Sequence, residues 1–145
     1  MNSVTYNSRI YTHEELALLS VGLCLEKKAV RPVVLDLSEL GAFTNYFAIV
    51  SAANSRQVYA IAEDVRVFFR EHFNLTPMSV DGLDSGTWAL LDFGFMFVHV
   101  FQEPTREVYQ LEKLWSKGRL IDVTHERLED LLSPFKKQKP ADTEE

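Results

Sequence analysis

Four aspartates stand at predicted strand ends or in loops, Asp36, Asp81, Asp84 and Asp92. Carboxylates so placed are the kind that converge on magnesium in phosphoryl-transfer sites. Their spacing does not favour it, since no two fall at i and i+2 of one strand, and turn or capping roles account for Asp81, Asp84 and Asp92. Cys24 falls on the apolar stripe of a predicted helix and reads as a small buried thiol, not a nucleophile. His99 lies mid-strand among apolar residues and reads as a core or interface histidine, while His13, His72 and His125 sit at helix ends. The six glycines form neither GxGxxG nor GxxxxGK, and there is no GxSxG turn. The residues assemble no mechanism and imply no cofactor and no metal. Trp88 points to a different chemistry: it opens a strand directly after Gly86-Thr87, where it serves either as core under a helix or as the aromatic anchor of an interface.

The elements that position these residues follow from periodicity and punctuation. Gly86 to Phe101 predicts a β-hairpin, two aromatic and β-branched runs joined at Asp92-Phe93-Gly94. Asp first and Gly last suit a three-residue loop, because a two-residue turn would force Phe93 to positive φ. On that register Trp88 and Leu90 share a face with Met96, Val98 and Val100, and Ala89, Leu91, Phe95, Phe97, His99 and Phe101 take the other. Both faces are apolar, so helices cover both or one is kept for a partner.

Upstream, residues 1–11 read as a flexible N-terminus, and Thr12-His13-Glu14-Glu15 fits a capping box that starts a helix running to about Lys28. Its stripe is Leu16, Leu19, Leu23 and Cys24. Pro32 ends that segment; Val33–Leu37 and Tyr46–Ser51 read as antiparallel strands, and Asn54 or Ser55 caps an amphipathic helix from about Arg56 to His72. Pro77–Val80 reads as a short strand. Glu103-Pro104 opens a third helix that ends near Trp115, with Val108, Leu111, Leu114 and Trp115 on its apolar side and Tyr109, Glu112 and Lys113 along an adjacent edge. A last helix is expected over Thr124–Leu132 within a helical extension at 117–133, and 134–145 reads as a disordered tail. The expected fold is α/β (α+β), a single mixed sheet of about five strands flanked by helices.

Composition narrows the class. A chain of 145 residues with 46% hydrophobic content suits one core, and a net charge of −6 argues against direct nucleic-acid binding, which needs clustered Lys and Arg. The acidic balance suits a basic protein partner. One cysteine fits a reducing compartment, and no apolar run is long enough to span a membrane, so the expectation is a soluble cytoplasmic protein.

The run VVLDLSELGAFTNYFAIVSAANSRQVYAIAEDV, followed by PMSVDGLDSGTWALLDFGFMFVHVFQEPTREVYQLEKLW, resembles the Iojap family, known in bacteria as ribosomal silencing factor RsfS. The most specific part is the ordered set Val80-Asp81-Gly82, Trp88, Leu91-Asp92, Gly94, Val98-His99-Val100, Arg106, Tyr109, Leu111-Glu112 and Leu114-Trp115. The resemblance implies a silencing-factor domain over about 12–116 with a nucleotidyltransferase-like topology and no catalytic motif. It implies binding to the large ribosomal subunit through its protein fourteen, at the face that meets the small subunit, so that joining is blocked. The contact surface it implies is Trp88, Leu90 and Asp92 on the strand and Tyr109 with Lys113 on the neighbouring helix, to which the hairpin register adds Met96 and the apolar area of Phe95. Two departures stand out: Asn45 where the family often has Asp, and Phe95 where an acid commonly follows the hairpin Gly. A nucleotidyltransferase-like enzyme and a self-associating module, a homodimer through the hairpin, are the alternatives.

Overall fold

The computed structural model describes residues 3–136. The chain opens with a hairpin, β1 (Ser3–Tyr6) and β2 (Arg9–Thr12), where the sequence suggested irregular chain. Asn7 and Ser8, at φ +49° and +65°, make the two-residue turn. Such a hairpin is marginal alone. It is held because Tyr6 and Tyr11 pack into an aromatic cluster with Phe73 and Phe135.

Helix α1 (His13–Glu26) starts at the capping box, with the Glu15 amide donating to Thr12 Oγ1 at 3.1 Å and the Thr12 amide donating to Glu15 Oε1 at 3.0 Å. Every residue from Leu16 to Cys24 is buried, not one stripe alone, because α1 runs through the middle of the molecule. The one polar side chain in that stretch, Ser20, donates to the Ala17 carbonyl.

Next come β3 (Val30–Asp36), a 3-10 turn (Ser38–Leu40), β4 (Tyr46–Ala52), α2 (Ser55–Phe73), β5 (Ser79–Asp81), β6 (Trp88–Asp92) and β7 (Met96–Gln102). Then follow α3 (Glu103–Tyr109), α4 (Leu111–Leu114), β8 (Arg119–Ile121) and α5 (His125–Lys136). Strands β3 to β8 form one six-stranded sheet in the order β5-β6-β7-β4-β3-β8, mixed because β4 and β7 run parallel and the other pairs antiparallel. Strand β3 begins before Pro32, which it accommodates where its register against β4 shifts between Val30 and Val33. Asn54 caps α2, accepting from the Gln57 amide. Residues 117–133, expected as a helical extension, supply an edge strand of the sheet and most of α5, which continues through Pro134. Residues 137–145, the rest of the expected tail, lie outside the described residues.

The sheet separates two apolar clusters. Val34, Ala48, Val50, Ala89, Leu91, Met96, Val98 and Val100 face α1 and α2 in the larger one. Leu35, Leu37, Phe47, Ile49, Phe101 and Leu111 make the smaller one, on the face where α3 and α4 lie.

The β6–β7 register differs from expectation. Asp92 pairs with Phe97, Leu91 with Val98, Leu90 with His99 and Trp88 with Phe101, so residues 93–96 lie between the last paired positions, with Met96 already in β7 and paired to β4. Phe93 turns inward to within 5.3 Å of the Phe69 ring, and the Phe95 carbonyl accepts from the Asn45 and Tyr46 amides. The core therefore claims Phe93, and β4 claims the Phe95 carbonyl, where the expected three-residue loop would have left Phe93 at the turn and paired Phe95 within the hairpin. An odd shift exchanges the faces: Trp88, Leu90 and Asp92 stand with Phe97, His99 and Phe101, and Met96 stands opposite. Gly94 does take the positive φ that the loop chemistry asked for, +88°, and its amide donates to Asp92 Oδ1.

Candidate functional site

Trp88 is half-buried at the head of β6, on the thinly covered face of the sheet. Its position depends on Gly82, whose φ of +88° is the left-handed conformation and whose missing Cβ would lie 1.9 Å from the Trp88 carbonyl oxygen. The indole stacks on Phe101 with centroids 4.7 Å apart, meets Tyr109 at 4.7 Å, and donates its N–H to His99 Nδ1 at 3.1 Å. His99 is 3% exposed, and burial among aromatic rings pushes its pKa down to about 3. It is therefore neutral at physiological pH. The core or interface histidine expected from the sequence is a buried hydrogen-bond acceptor for Trp88.

The rest of the site sits on a corner between α3 and α4. The third helix does not run unbroken to Trp115: Gln110 takes φ +48°, and the axis changes direction there. Arg106 holds the corner. Its side chain is 1% exposed; Nε and Nη2 donate to Glu112 Oε2 at 3.0 and 2.7 Å, and Nη1 donates to the Arg31 carbonyl and Ser51 Oγ at 2.7 and 2.9 Å. With Arg106 and Leu111 turned inward, Val108, Tyr109 and Leu114 point outward at 76%, 54% and 71% exposure. This corrects the expected apolar side of that helix, of which only Leu111 is buried and Trp115 half-buried.

Trp88, Leu90 and Asp92 therefore share one face of β6, with Tyr109 against Trp88 and exposed Lys113 one turn on. Lys113 also lines a cleft of about 200 Å³ with Arg31, Arg106, Glu107, Gln110 and Glu112. Two expected members are elsewhere. Met96 is fully buried in the main core, so it cannot meet a partner, and Phe95 stacks on His13 at 4.0 Å at the other end of the hairpin. Sequence reasoning missed Phe43, 65% exposed, whose ring lies 5.2 Å from Phe97 and 5.6 Å from Trp115. An aromatic residue inside a turn, Ala42-Phe43-Thr44, was the available signal.

The acids weighed for magnesium have other occupations. Burial alone would raise the Asp36 carboxyl, but the Ser38 hydroxyl and amide and the Arg119 guanidinium hold it below the usual carboxylate range. Asp92 accepts from Gly94, and Asp81 and Asp84 are exposed. Among the described residues no group of three or more His, Cys, Asp or Glu is placed to hold a metal ion. Cys24 is fully buried, which pushes its thiol pKa well up. No helix among the described residues is long and apolar enough to cross a membrane. What the surface offers is contact: two adjoining aromatic rings, flanking apolar side chains, and a lysine.

Comparison with known proteins gives concordant results. The sequence matches the family described as ribosomal silencing factor during starvation over residues 11–145. It is 31% identical over 105 residues to ribosomal silencing factor RsfS of Bacillus subtilis, a match spanning 72% of this chain and 88% of that protein. It is also 31% identical over 98 residues to the mouse protein named mitochondrial assembly of ribosomal large subunit protein 1, spanning 66% of this chain and 43% of the mouse protein. A crystal structure of a Chromobacterium violaceum protein superposes with a TM-score of 0.67 at 28% identity, covering 76% of this chain and 90% of that one.

Proposed function

The chain belongs to the family of ribosomal silencing factors, and from that membership we propose that it represses translation by seating on the large ribosomal subunit, at its protein fourteen, where it excludes the small subunit. The contact surface is Trp88, Leu90, Asp92, Tyr109 and Lys113. The observation that carries this reading is the Trp88–Tyr109 pair, two rings 4.7 Å apart on a rigid strand and a helix corner, with Tyr109 more than half exposed. Aromatic side chains fixed on regular elements lose little entropy on binding and tend to dominate interface energy. The name of the mouse relative, which refers to the large subunit, agrees with that choice of partner. The chain's net charge of −6 suits a basic protein surface better than bare RNA.

The action is steric. A folded domain fixed on the joining face and a small subunit cannot occupy the same space, so silencing is competition and needs no catalysis. The protein works in the compartment where its ribosomes are.

The test is sedimentation of the protein with isolated large subunits and, separately, with small subunits, followed by addition of the missing subunit. Co-migration with large subunits alone and a reduced yield of joined ribosomes are expected. Trp88→Ala is expected to weaken binding about thirtyfold, roughly 2 kcal/mol, while unfolding remains cooperative in urea. Protein that stays at the top of the gradient with large subunits in excess would end the reading. A concentration-dependent mass in the absence of ribosomes would favour the self-associating module instead.

A further inference from the structure

We infer that His99 is a positioning residue for the contact surface, locking the indole of Trp88 in one orientation through its Nδ1. The inference rests on the reading of Trp88 and Tyr109 as contact residues. Stacking on Phe101 and packing against Tyr109 fix the plane of the indole, but a flat ring in such a slot can be turned over within its plane at little cost. The hydrogen bond from Trp88 Nε1 to His99 Nδ1, 3.1 Å, distinguishes the two orientations.

The cost of placing histidine there supports the assignment. Because Nδ1 accepts, the ring proton sits on Nε2, and Nε2 is buried with no hydrogen-bond partner among the described residues. His99 is surrounded by Phe47, Phe97 and Phe101, with Phe47 edge-on at 4.5 Å. Phenylalanine would fill that site without the stranded Nε2–H, whose burial lowers stability, but would take away the acceptor of the Trp88 N–H. What histidine adds is the acceptor that Trp88 uses. Burial keeps the acceptor available, since the imidazole stays neutral far below physiological pH.

A consequence for recognition follows. The only polar atom of the indole is spent inside the protein, so Trp88 offers a partner its ring face and carbon edge and no donor. It is matched by an aliphatic or cationic side chain, not by a carbonyl or carboxylate seeking an N–H.

The test uses full-length 15N-labelled protein. The chain has two tryptophans, Trp88 and Trp115, so two indole N–H resonances are expected, assigned with Trp115→Phe. In the wild type the Trp88 indole proton is expected to be a single resonance, slow to exchange with solvent. In His99→Phe it should exchange faster by an order of magnitude or more and broaden or double, while the urea midpoint stays level or rises. Affinity for large subunits should fall about three- to tenfold, the range of one net hydrogen bond. His99→Asn, whose Oδ1 can occupy the place of Nδ1, should restore both the sharp resonance and the affinity. An indole proton that stays single and protected in His99→Phe, or affinity that is unchanged once the indole is freed, would overturn the inference. If the wild type binds no large subunits yet the indole follows the expected pattern, the ribosomal reading fails and the pairing of His99 with Trp88 stands.

Discussion

Gly82 and Gly41 have similar backbones, φ +88° and +66°, and very different surroundings. A Cβ on Gly82 meets the Trp88 carbonyl at 1.9 Å, whereas one on Gly41 meets nothing within 4 Å among the described residues. Gly41→Ala should therefore cost only the left-handed strain, about 1 kcal/mol, and Gly82→Ala about 3 kcal/mol or more, because the strand carrying Trp88 must shift. Urea unfolding of both variants checks this, and equal losses would mean that the approach of residue 82 to β6 is not needed. His99 supplies a pH dependence at the same scale. Its pKa is about 3 in the folded protein against about 6.5 unfolded, so the unfolded chain takes up the proton first as pH falls. Stability from this residue is complete above pH 6.5 and is lost progressively toward pH 3, by about 2 kcal/mol at pH 5. Unfolding free energies of the wild type and His99→Phe between pH 7 and 5 should diverge by that amount, the wild type falling faster. Trp88 as a strand-opening aromatic was legible in the sequence, but the face it shares was not. Loop chemistry located the left-handed Gly94, yet the length of the connection is set by Phe93 reaching Phe69, a contact between residues far apart in the chain.

Among the elements, those with local signals were legible: the capping box of α1, the Asn54 cap of α2, the antiparallel β3–β4 pair. The break at Gln110 was not, since no Gly or Pro marks it and the run from Glu103 to Trp115 has helical spacing throughout. It is imposed by Arg106, whose buried guanidinium joins Glu112 on α4 to Ser51 on β4 and the Arg31 carbonyl on β3. The N-terminal hairpin carried a signal in Asn7-Ser8 between two Tyr-containing runs, but its strands are too short to stand without the aromatic cluster beneath them. Arg106→Leu should cost about 3 to 5 kcal/mol, because Glu112, Ser51 and the Arg31 carbonyl lose their common partner. Arg106→Lys should recover little, as one ammonium cannot replace a three-way fork. On the proposed function, both variants should lose affinity for large subunits more than stability alone explains, since Tyr109 and Lys113 are aimed by that corner. Chemical denaturation with binding measured at full folding separates the two effects. Affinity unaltered in a folded Arg106→Leu protein would remove the corner from the contact surface.

At the scale of the whole molecule, the two faces of the sheet are unequally provided for. One is sealed by α1 and α2, with α5 and the N-terminal hairpin beyond, and among the described residues the other is crossed by the short α3–α4 corner alone, leaving Phe43, Tyr109, Val108 and Leu114 in solvent. The sheet is also joined at its centre by a strongly non-local pairing. Strands β4 and β7 run side by side from Tyr46 opposite Met96 to Ala52 opposite Gln102, fifty residues apart in the chain. That ladder closes only after α2, β5 and β6 have been laid between, and loop-closure entropy must be met before any of its contacts form. Refolding should accordingly take on the order of milliseconds to seconds, not microseconds, in a stopped-flow experiment. During synthesis the β3–β4 pair exists with an unpaired inner edge until residue 102 has left the ribosome. If the proposed function holds, a protein that acts on ribosomes thus depends on an uninterrupted passage through one, and truncated chains ending before β7 should aggregate where the complete chain does not.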